Sequence, residues 1–449
     1  MAVNSKKIVR IGSGAGYSGD RIEPAVELAK KGKLDYLVFE CLAERTIALA
    51  QLRKLNDPSK GYDPLLEERM LACLSICTKN NVKIITNMGA ANPEAAMLKV
   101  VEIAKSLQLP HLKIAAILGD ELTEKIRDDE YSLLETGKPL SSIKKRMVSA
   151  NAYLGAEPIV EALVNGADVV ITGRVADPSL FLAPLIKEFN WSLQDYNLLG
   201  KGTALGHLME CAGHVTGGYF ADPGYKDVPN LEDLGFPIVE ANTEGGFFIT
   251  KLNDSGGMVT MATCKEQLLY EIHDPVKYLT PDVIADFSKV KITEIEKDKI
   301  LIEGATGQKK TGKLKVSIGY RDGFIGEGQL SYGGPGAMDR ARLGLEIVRK
   351  RLEKYQPEIE DVRYDIVGFN SLYGNQISHG KPYEVRMRVA ARTSTKAAAV
   401  KIGNEVEALY TNGPAGGGGA KKSVQEVIAV QSILIDEEKV VPSIKYKII

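Results

Sequence analysis

No uninterrupted apolar run in the 449 residues approaches the roughly 18 that a membrane-spanning helix needs. Charge of one sign is also missing. Lys and Arg total 57 against 58 Asp and Glu, a formal net charge of −1, so no basic field exists to hold a nucleic acid or an anionic membrane. Cysteine is scarce: five residues, at 41, 73, 77, 211 and 264, an odd number that builds no disulfide framework. The opening MAVNSKKIVRIGSG runs straight into a strand pattern and does not resemble a signal peptide, so a reduced cytoplasmic setting is expected. Cys73 and Cys77 lie four apart with no second ligand pair nearby, and are expected as buried core thiols. No metal-ligand set is assigned.

Glycine, by contrast, is plentiful: 44 residues against 19 Pro, gathered in clusters that suggest loops shaped for a ligand. The length exceeds one ordinary core, so two or three domains are expected. Up to about residue 190, short β-branched runs alternate with amphipathic runs. KKIVRI, LDYLVFE, VKIITN, LKIAAIL and ADVVITG read as strands; RIEPAVELAKKG, RTIALAQLRKL, EAAMLKVVEIAKSL and EPIVEALVNG read as helices. That alternation predicts an α/β fold with a mostly parallel sheet covered by helices on both faces, an open sheet in preference to a closed barrel. Beyond a Gly- and aromatic-rich connection the pattern turns to antiparallel-type strands with helices near 336–355 and 420–435. This predicts a second, α+β domain, dividing the chain into 1–285 and 286–449.

Five stretches carry candidate chemistry. In IGSGAGYSGDR, Gly14, Gly16 and Gly19 satisfy G-x-G-x-x-G by letter, with Glu40 closing the next strand as a ribose-binding acid would. Tyr17 falls where a fingerprint opening at Gly12 needs its third glycine, and Asp20 is expected to cap the helix and repel a pyrophosphate. A loop that approaches another ligand, a structural turn and a nicotinamide site all remain open. Asn87, at the end of the third strand, and Asp120, after the fourth, stand at the same sheet edge, where open α/β sheets form their crevice. In ITGRVADPSL, Arg174 is a candidate carboxylate or phosphate clamp with Asp177 shaping its loop; a structural Arg174–Asp177 or Arg174–Glu40 pair is the alternative. In GHLMECAGHV, His207, Cys211 and His214 share one face if the helix continues, with Glu210 beside them. Zinc binding, catalysis with His214 as general acid/base and Cys211 as nucleophile, and simple packing or capping all remain open. VEANTEGGFFITK offers Glu244 for proton transfer, or a solvated loop. In NGPAGGGGAKKS, residues Gly416, Gly417, Gly418 and Gly419 are read as an anion or oxyanion loop feeding a helix N-terminus.

Taken together, IGSGAGYSGDR (11–21), FECLAERT (39–46), ITNMGAANP (85–93), ITGRVADPS (171–179), ECAGHVTGGYFADPG (210–224) and NGPAGGGGAKKS (412–423) resemble the acyclic terpene utilisation (AtuA) family. The resemblance implies a catabolic protein of citronellol and geraniol breakdown, with cleavage of a 3-hydroxy-3-branched glutaryl-type thioester as the family's proposed task. It also implies, for many members, a further C-terminal ferredoxin-like domain, which is expected here to be absent or supplied by a small partner subunit. The expected function is therefore a lyase or hydro-lyase acting on a branched hydroxy acid, free or as its CoA thioester. Arg174, Asn87, Asp177 and the glycine loops would bind it, and His214, Glu40, Glu244 or Cys211 would act on it. A nicotinamide-dependent oxidoreductase and a non-catalytic acyl-binding subunit are the alternatives. A homo-oligomer is expected, with no nucleic-acid or membrane partner and no cofactor identified.

Overall fold

The computed structural model describes residues 7–355, 358–376 and 380–449. The chain divides into two compact units, one formed by 1–319 with 430–449 and the other by 320–429. The division thus falls at 319/320 rather than near 285, and the chain returns to the first unit after leaving it. The segments KVKITEIE and KILIE, assigned to the second domain from their strand pattern, extend the first unit's sheet instead.

That sheet has ten strands and is open. Its centre is parallel, in the order Ile8–Ala15, Tyr36–Phe39, Lys83–Thr86, Val169–Ile171 and Lys113–Leu118, which are the five strands read from the sequence. Antiparallel strands flank it: Pro237–Asn242, Phe247–Lys251, Lys299–Glu303 and Lys291–Glu296 on one side, Ser443–Ile448 on the other. The sheet is therefore mixed and not mostly parallel. The reason is connection length. Residues 243–246 and 297–298 are too few to carry a crossover, so they close hairpins.

Alternation along the central strands divides their side chains between two faces. Leu37, Phe39, Ile84, Ile114 and Ile171 join one core with the helices Glu23–Lys31, Leu66–Lys79 and Pro93–Ser106. Each such fully buried aliphatic or aromatic side chain contributes about 1.5–3 kcal/mol. Cys73 and Cys77 lie in this core, as expected. Tyr36 points the other way, where its hydroxyl donates to Glu188 Oε1 at 2.6 Å, on the helix Ser179–Phe189. Beside that helix runs Tyr196–Glu210. A small sheet of Tyr278–Leu279, Ile284–Asp286 and Thr306–Gln308 covers the latter closely. A Cβ on Gly200 would stand 2.1 Å from the Thr306 oxygen, so only glycine admits that approach.

The second unit runs strand, helix, strand, strand, helix, strand. Its helices Ala337–Leu352 and Lys396–Glu407 share one core with Leu330, Tyr332, Ile366, Met387 and Val389. The strand order is Ile359–Val367, Glu384–Thr393, Lys313–Gly333, Gly418–Asp436, which is the split βαββαβ arrangement of ferredoxin-like units. A unit of this topology is thus inside the chain. The segment 420–435, expected as a helix, is the strand Gly418–Asp436. Val424, Val427, Ile428, Val430, Ile433 and Ile435 explain it, because β-branched side chains lose rotamer freedom in a helix and fit a pleated surface.

Candidate active site

The carboxyl ends of the parallel strands carry a buried polar cluster. Glu40, directly after Tyr36–Phe39, accepts from the Leu42 amide and from Asn87 Nδ2, both at 2.8 Å, and Asn87 Oδ1 accepts from the Cys41 amide at 2.7 Å. Burial first, then the Asp177 charge, push the Glu40 carboxyl well above its usual range. Asp120, past the end of Lys113–Leu118, accepts from the Arg174 amide at 2.9 Å and Asn151 Nδ2 at 3.0 Å. Burial raises it to about 6. Asp177 is pushed up to about 6 by desolvation although 35 % of its side chain stays exposed, the Arg174 charge acting in the opposite sense.

Arg174 is the cation of this cluster, and most of its donors are already committed. Nε and Nη2 donate to the Val175 carbonyl at 3.0 and 2.6 Å, Nη2 to Asp177 and Nη1 to the Leu42 carbonyl. Its guanidinium carbon lies 4.5 Å from the Tyr153 ring centre. Of five N–H donors one is left, so the structural Arg174–Asp177 pair describes this residue better than an open bidentate clamp.

The first glycine loop is shaped by its own chain. A Cβ on Gly14 would meet the Phe39 ring at 2.6 Å, and one on Gly16 would meet the Cys211 backbone at 2.5 Å. The Gly16 amide donates to Asp20 Oδ2 at 2.9 Å. The following helix starts at Glu23 with Ile22 as its N-cap, so Asp20 satisfies loop amides rather than capping the helix as expected. Tyr17 is exposed at the loop tip. Underneath, the fully buried Arg69 holds the loop: Nη2 donates to the Ser18 carbonyl at 2.9 Å and the Asp20 carbonyl at 3.1 Å, while Nη1 pairs with Asp63 at 3.3 Å.

The His–Cys–His cluster does not lie along one helix. Tyr196–Glu210 ends before Cys211, and Ala212, at φ +40°, breaks the path. His207 stays inside, bonded to Glu210 Oε1 at 2.9 Å. His214 turns away, stacked on Tyr219 at 5.4 Å and edge-on to Tyr270 at 5.2 Å. Gln267, on the helix Met261–Leu269, ties the two back together. Its amide nitrogen donates to the His207 carbonyl at 3.0 Å, and its oxygen lies 3.3 Å from His214 Nδ1. A carbonyl oxygen only accepts, so the amide orientation is fixed and His214 Nδ1 carries the proton. Nε2 is then the basic nitrogen, and it makes no hydrogen bond among the described residues. Desolvation, then the Glu210 charge, push the Cys211 thiol up, away from thiolate.

Beside His214 opens a cleft of about 900 Å³ lined by Phe220, Met258, Leu269 and Tyr270, with Lys226, Lys265 and Glu271 among its polar groups. The Glu271 charge adds to the upward shift of both Asp177 and Glu210. Among the described residues no group of three or more His, Cys, Asp and Glu is placed to hold a metal ion. Gln267, Glu271 and Arg69 were not legible as site residues, since each lies in an unremarkable amphipathic stretch. Their roles come from long-range packing alone.

One expected contributor lies elsewhere. Glu244 is exposed in the turn after Pro237–Asn242, beside the amino end of Ile8–Ala15, because Asn242 pairs with Ile8. Asn242 Oδ1 closes that turn by accepting from the Glu244 and Gly246 amides at 2.9 and 3.1 Å. Gly416, Gly417, Gly418 and Gly419 belong to the second unit. With a strand after them, no helix N-terminus faces an anion there, and Lys422 is engaged by Glu407 at 2.5 Å.

Residues 9–446 match the profile of the acyclic terpene utilisation family protein AtuA. A search of the curated proteins returns no match. Among solved structures, the crystal structure of S. aureus homoserine dehydrogenase at pH 7.5 aligns over 90 % of this chain and 83 % of that one. The identity is 9 % and the TM-score 0.14, which establishes no shared fold.

Proposed function

The chain belongs to the acyclic terpene utilisation (AtuA) family, and from that premise we propose that it is a lyase or hydro-lyase acting by proton transfer on a branched hydroxy acid or its CoA thioester. The observation that carries the proposal is the His214–Gln267 pair. It points Nδ1–H at Gln267 and leaves Nε2 without a hydrogen bond among the described residues, next to Tyr270, which lines an apolar cleft. A general base needs that arrangement, and His is the side chain suited to it near neutrality.

The buried acids supply the opposite role. Burial pushes the carboxyls of Glu40 and Glu210 well above their usual range, which favours their protonated forms. An anionic group placed against Asp177 gains little from Arg174, which is already paired with it. The hydroxyl-bearing carbon therefore faces the acids. The branched chain occupies the apolar wall of Phe220, Met258 and Leu269, and the anionic end lies toward Lys265, Lys226 being held by Glu266 at 2.6 Å. His214 removes the proton beside the reacting carbon. The Glu40 carboxyl delivers one to the departing oxygen, or its conjugate base receives one in the reverse sense.

Asp20 weighs against a dinucleotide at the first loop, because it takes the Gly16 amide that a pyrophosphate would need. The test is turnover of branched 3-hydroxy acids and their CoA thioesters, followed as loss of substrate and as deuterium uptake from solvent. Both signals should vanish in His214→Asn with folding retained. Full turnover in that variant would sink the reading.

A further inference from the structure

Glu210 closes the helix Tyr196–Glu210, and only half of its carboxyl is accounted for. Oε1 bonds to His207 Nδ1 at 2.9 Å; Oε2 is buried without a partner among the described residues. Buried polar atoms in folded proteins are nearly always satisfied, and leaving one bare costs about 1–3 kcal/mol. An orphan oxygen beside a candidate catalytic cluster marks where a ligand's donor belongs.

The surroundings decide what kind of donor. The Leu268 carbonyl lies 3.2 Å from His207 Nε2 and can only accept, so Nε2 carries the proton. The ring is otherwise enclosed by Tyr278 at 5.4 Å and Phe287 at 5.7 Å between centres, and is 1 % exposed. An imidazolium here would require Glu210 as a carboxylate, with a bare buried oxygen and the charges of Asp177 and Glu271 acting against it. The neutral pair avoids this. The Glu210 acid donates to Nδ1, and Oε2 becomes a carbonyl oxygen that accepts. The titration tendencies agree: burial holds His207 down at about 4, and burial followed by the Asp177 charge drives Glu210 upward.

We propose that Glu210 Oε2 is the acceptor for a ligand hydroxyl, and that His207 is the positioning residue that keeps this carboxyl protonated and turned toward the ligand. The assignment rests on the proposed substrate class and narrows it. Recognition falls on the hydroxyl, so the site favours the hydroxylated acid over the same skeleton without oxygen. Sites built to hydrogen-bond a hydroxyl discriminate strongly against its absence, because their own polar group is then left unpaired.

The test pairs binding with infrared spectroscopy on the full chain. Calorimetric titration with 3-hydroxy-3-methylbutyrate and with 3-methylbutyrate is expected to favour the first by about tenfold or more. Glu210→Gln is isosteric with the protonated acid: its NH₂ donates to Nδ1 and its oxygen still accepts, so the preference is kept. Glu210→Leu brings the ratio toward one. Difference spectra of wild type against Glu210→Gln at pH 7 should lose a protonated carboxyl band. His207→Gln should shift that band without removing it, a readout that stands even where the Leu variant does not fold. No preference in the wild type, a preference surviving in Glu210→Leu, or no protonated carboxyl band traceable to Glu210 each overturns the assignment. Failure of the proposed function would show differently, as full turnover in His214→Asn with the Glu210 band intact.

Discussion

Gln267 Oε1 accepts the Nδ1 proton of His214 across 3.3 Å, and the amide cannot flip, because its nitrogen is committed to the His207 carbonyl at 3.0 Å. One side chain thereby fixes which nitrogen carries that proton and anchors the ring to the helix that carries His207 and Glu210. His214→Asn removes the base and should lower turnover by about 10²–10⁴-fold. Gln267→Leu keeps the imidazole but frees its tautomer, and should cause a smaller loss in kcat than His214→Asn. Thermal unfolding of both variants separates these losses from misfolding; equal losses would assign Gln267 more than a positioning role.

Gly16 and Gly418 make a matched pair. A Cβ at Gly16 meets the Cys211 carbonyl carbon at 2.5 Å and oxygen at 2.7 Å, whereas one at Gly418 meets nothing within 4 Å. Backbone on both sides leaves little room to relax, so Gly16→Ala should destabilise by about 1–3 kcal/mol and reduce activity with it. Gly418→Ala should be neutral. Urea unfolding midpoints decide, and a neutral Gly16→Ala would mean that the loop yields freely.

Asp120 has a raised pKa of about 6, caused by burial. A raised acid binds more protons folded than unfolded, so its stabilising contribution is complete below the unfolded value and is lost as pH rises through about 6. Asp120→Asn keeps an oxygen for the Arg174 amide and Asn151, both of which bond the same Oδ2. The variant should unfold at higher temperature than wild type at pH 8, by on the order of 2 kcal/mol, and match it near pH 4. A difference independent of pH would show that the carboxyl's charge is not the cause.

Local pattern gave away what local physics decides. The five parallel strands and the polar residues Glu40, Asn87, Asp120 and Arg174 at their carboxyl ends follow from periodicity and strand-end position. What failed depended on distant partners. Glu244 looks catalytic until the hairpin places it at the wrong end of the sheet, whereas the β-branched run from Val424 to Ile435 itself favours the strand it forms. His207 and His214 share a face only if the helix continues, and Ala212 stops it. Gln267 reaches the cluster from some 55 residues downstream, where no spacing rule extends.

Arg69 joins an ion pair with Asp63 to the carbonyls of Ser18 and Asp20. Arg69→Met strands a buried carboxylate and those carbonyls together, and should cost about 3–5 kcal/mol. Arg69→Lys should not restore it, since a single ammonium cannot reproduce the planar fork. Denaturant titration checks both; a loss below about 1 kcal/mol for Met would mean the Asp63–Arg69 pair contributes almost nothing net.

The strand Ser443–Ile448 completes the ten-stranded sheet against Lys113–Leu118, a partner laid down more than 300 residues earlier. At ribosomal speeds of about 5–20 residues per second, that edge stays unpaired for roughly a quarter of a minute to a minute. The βαββαβ unit, whose pairings are local, emerges within that interval and can finish folding first. A nascent chain with a bare sheet edge is a substrate for chaperones and for edge-to-edge aggregation. Slower synthesis lengthens that exposure and faster synthesis shortens it.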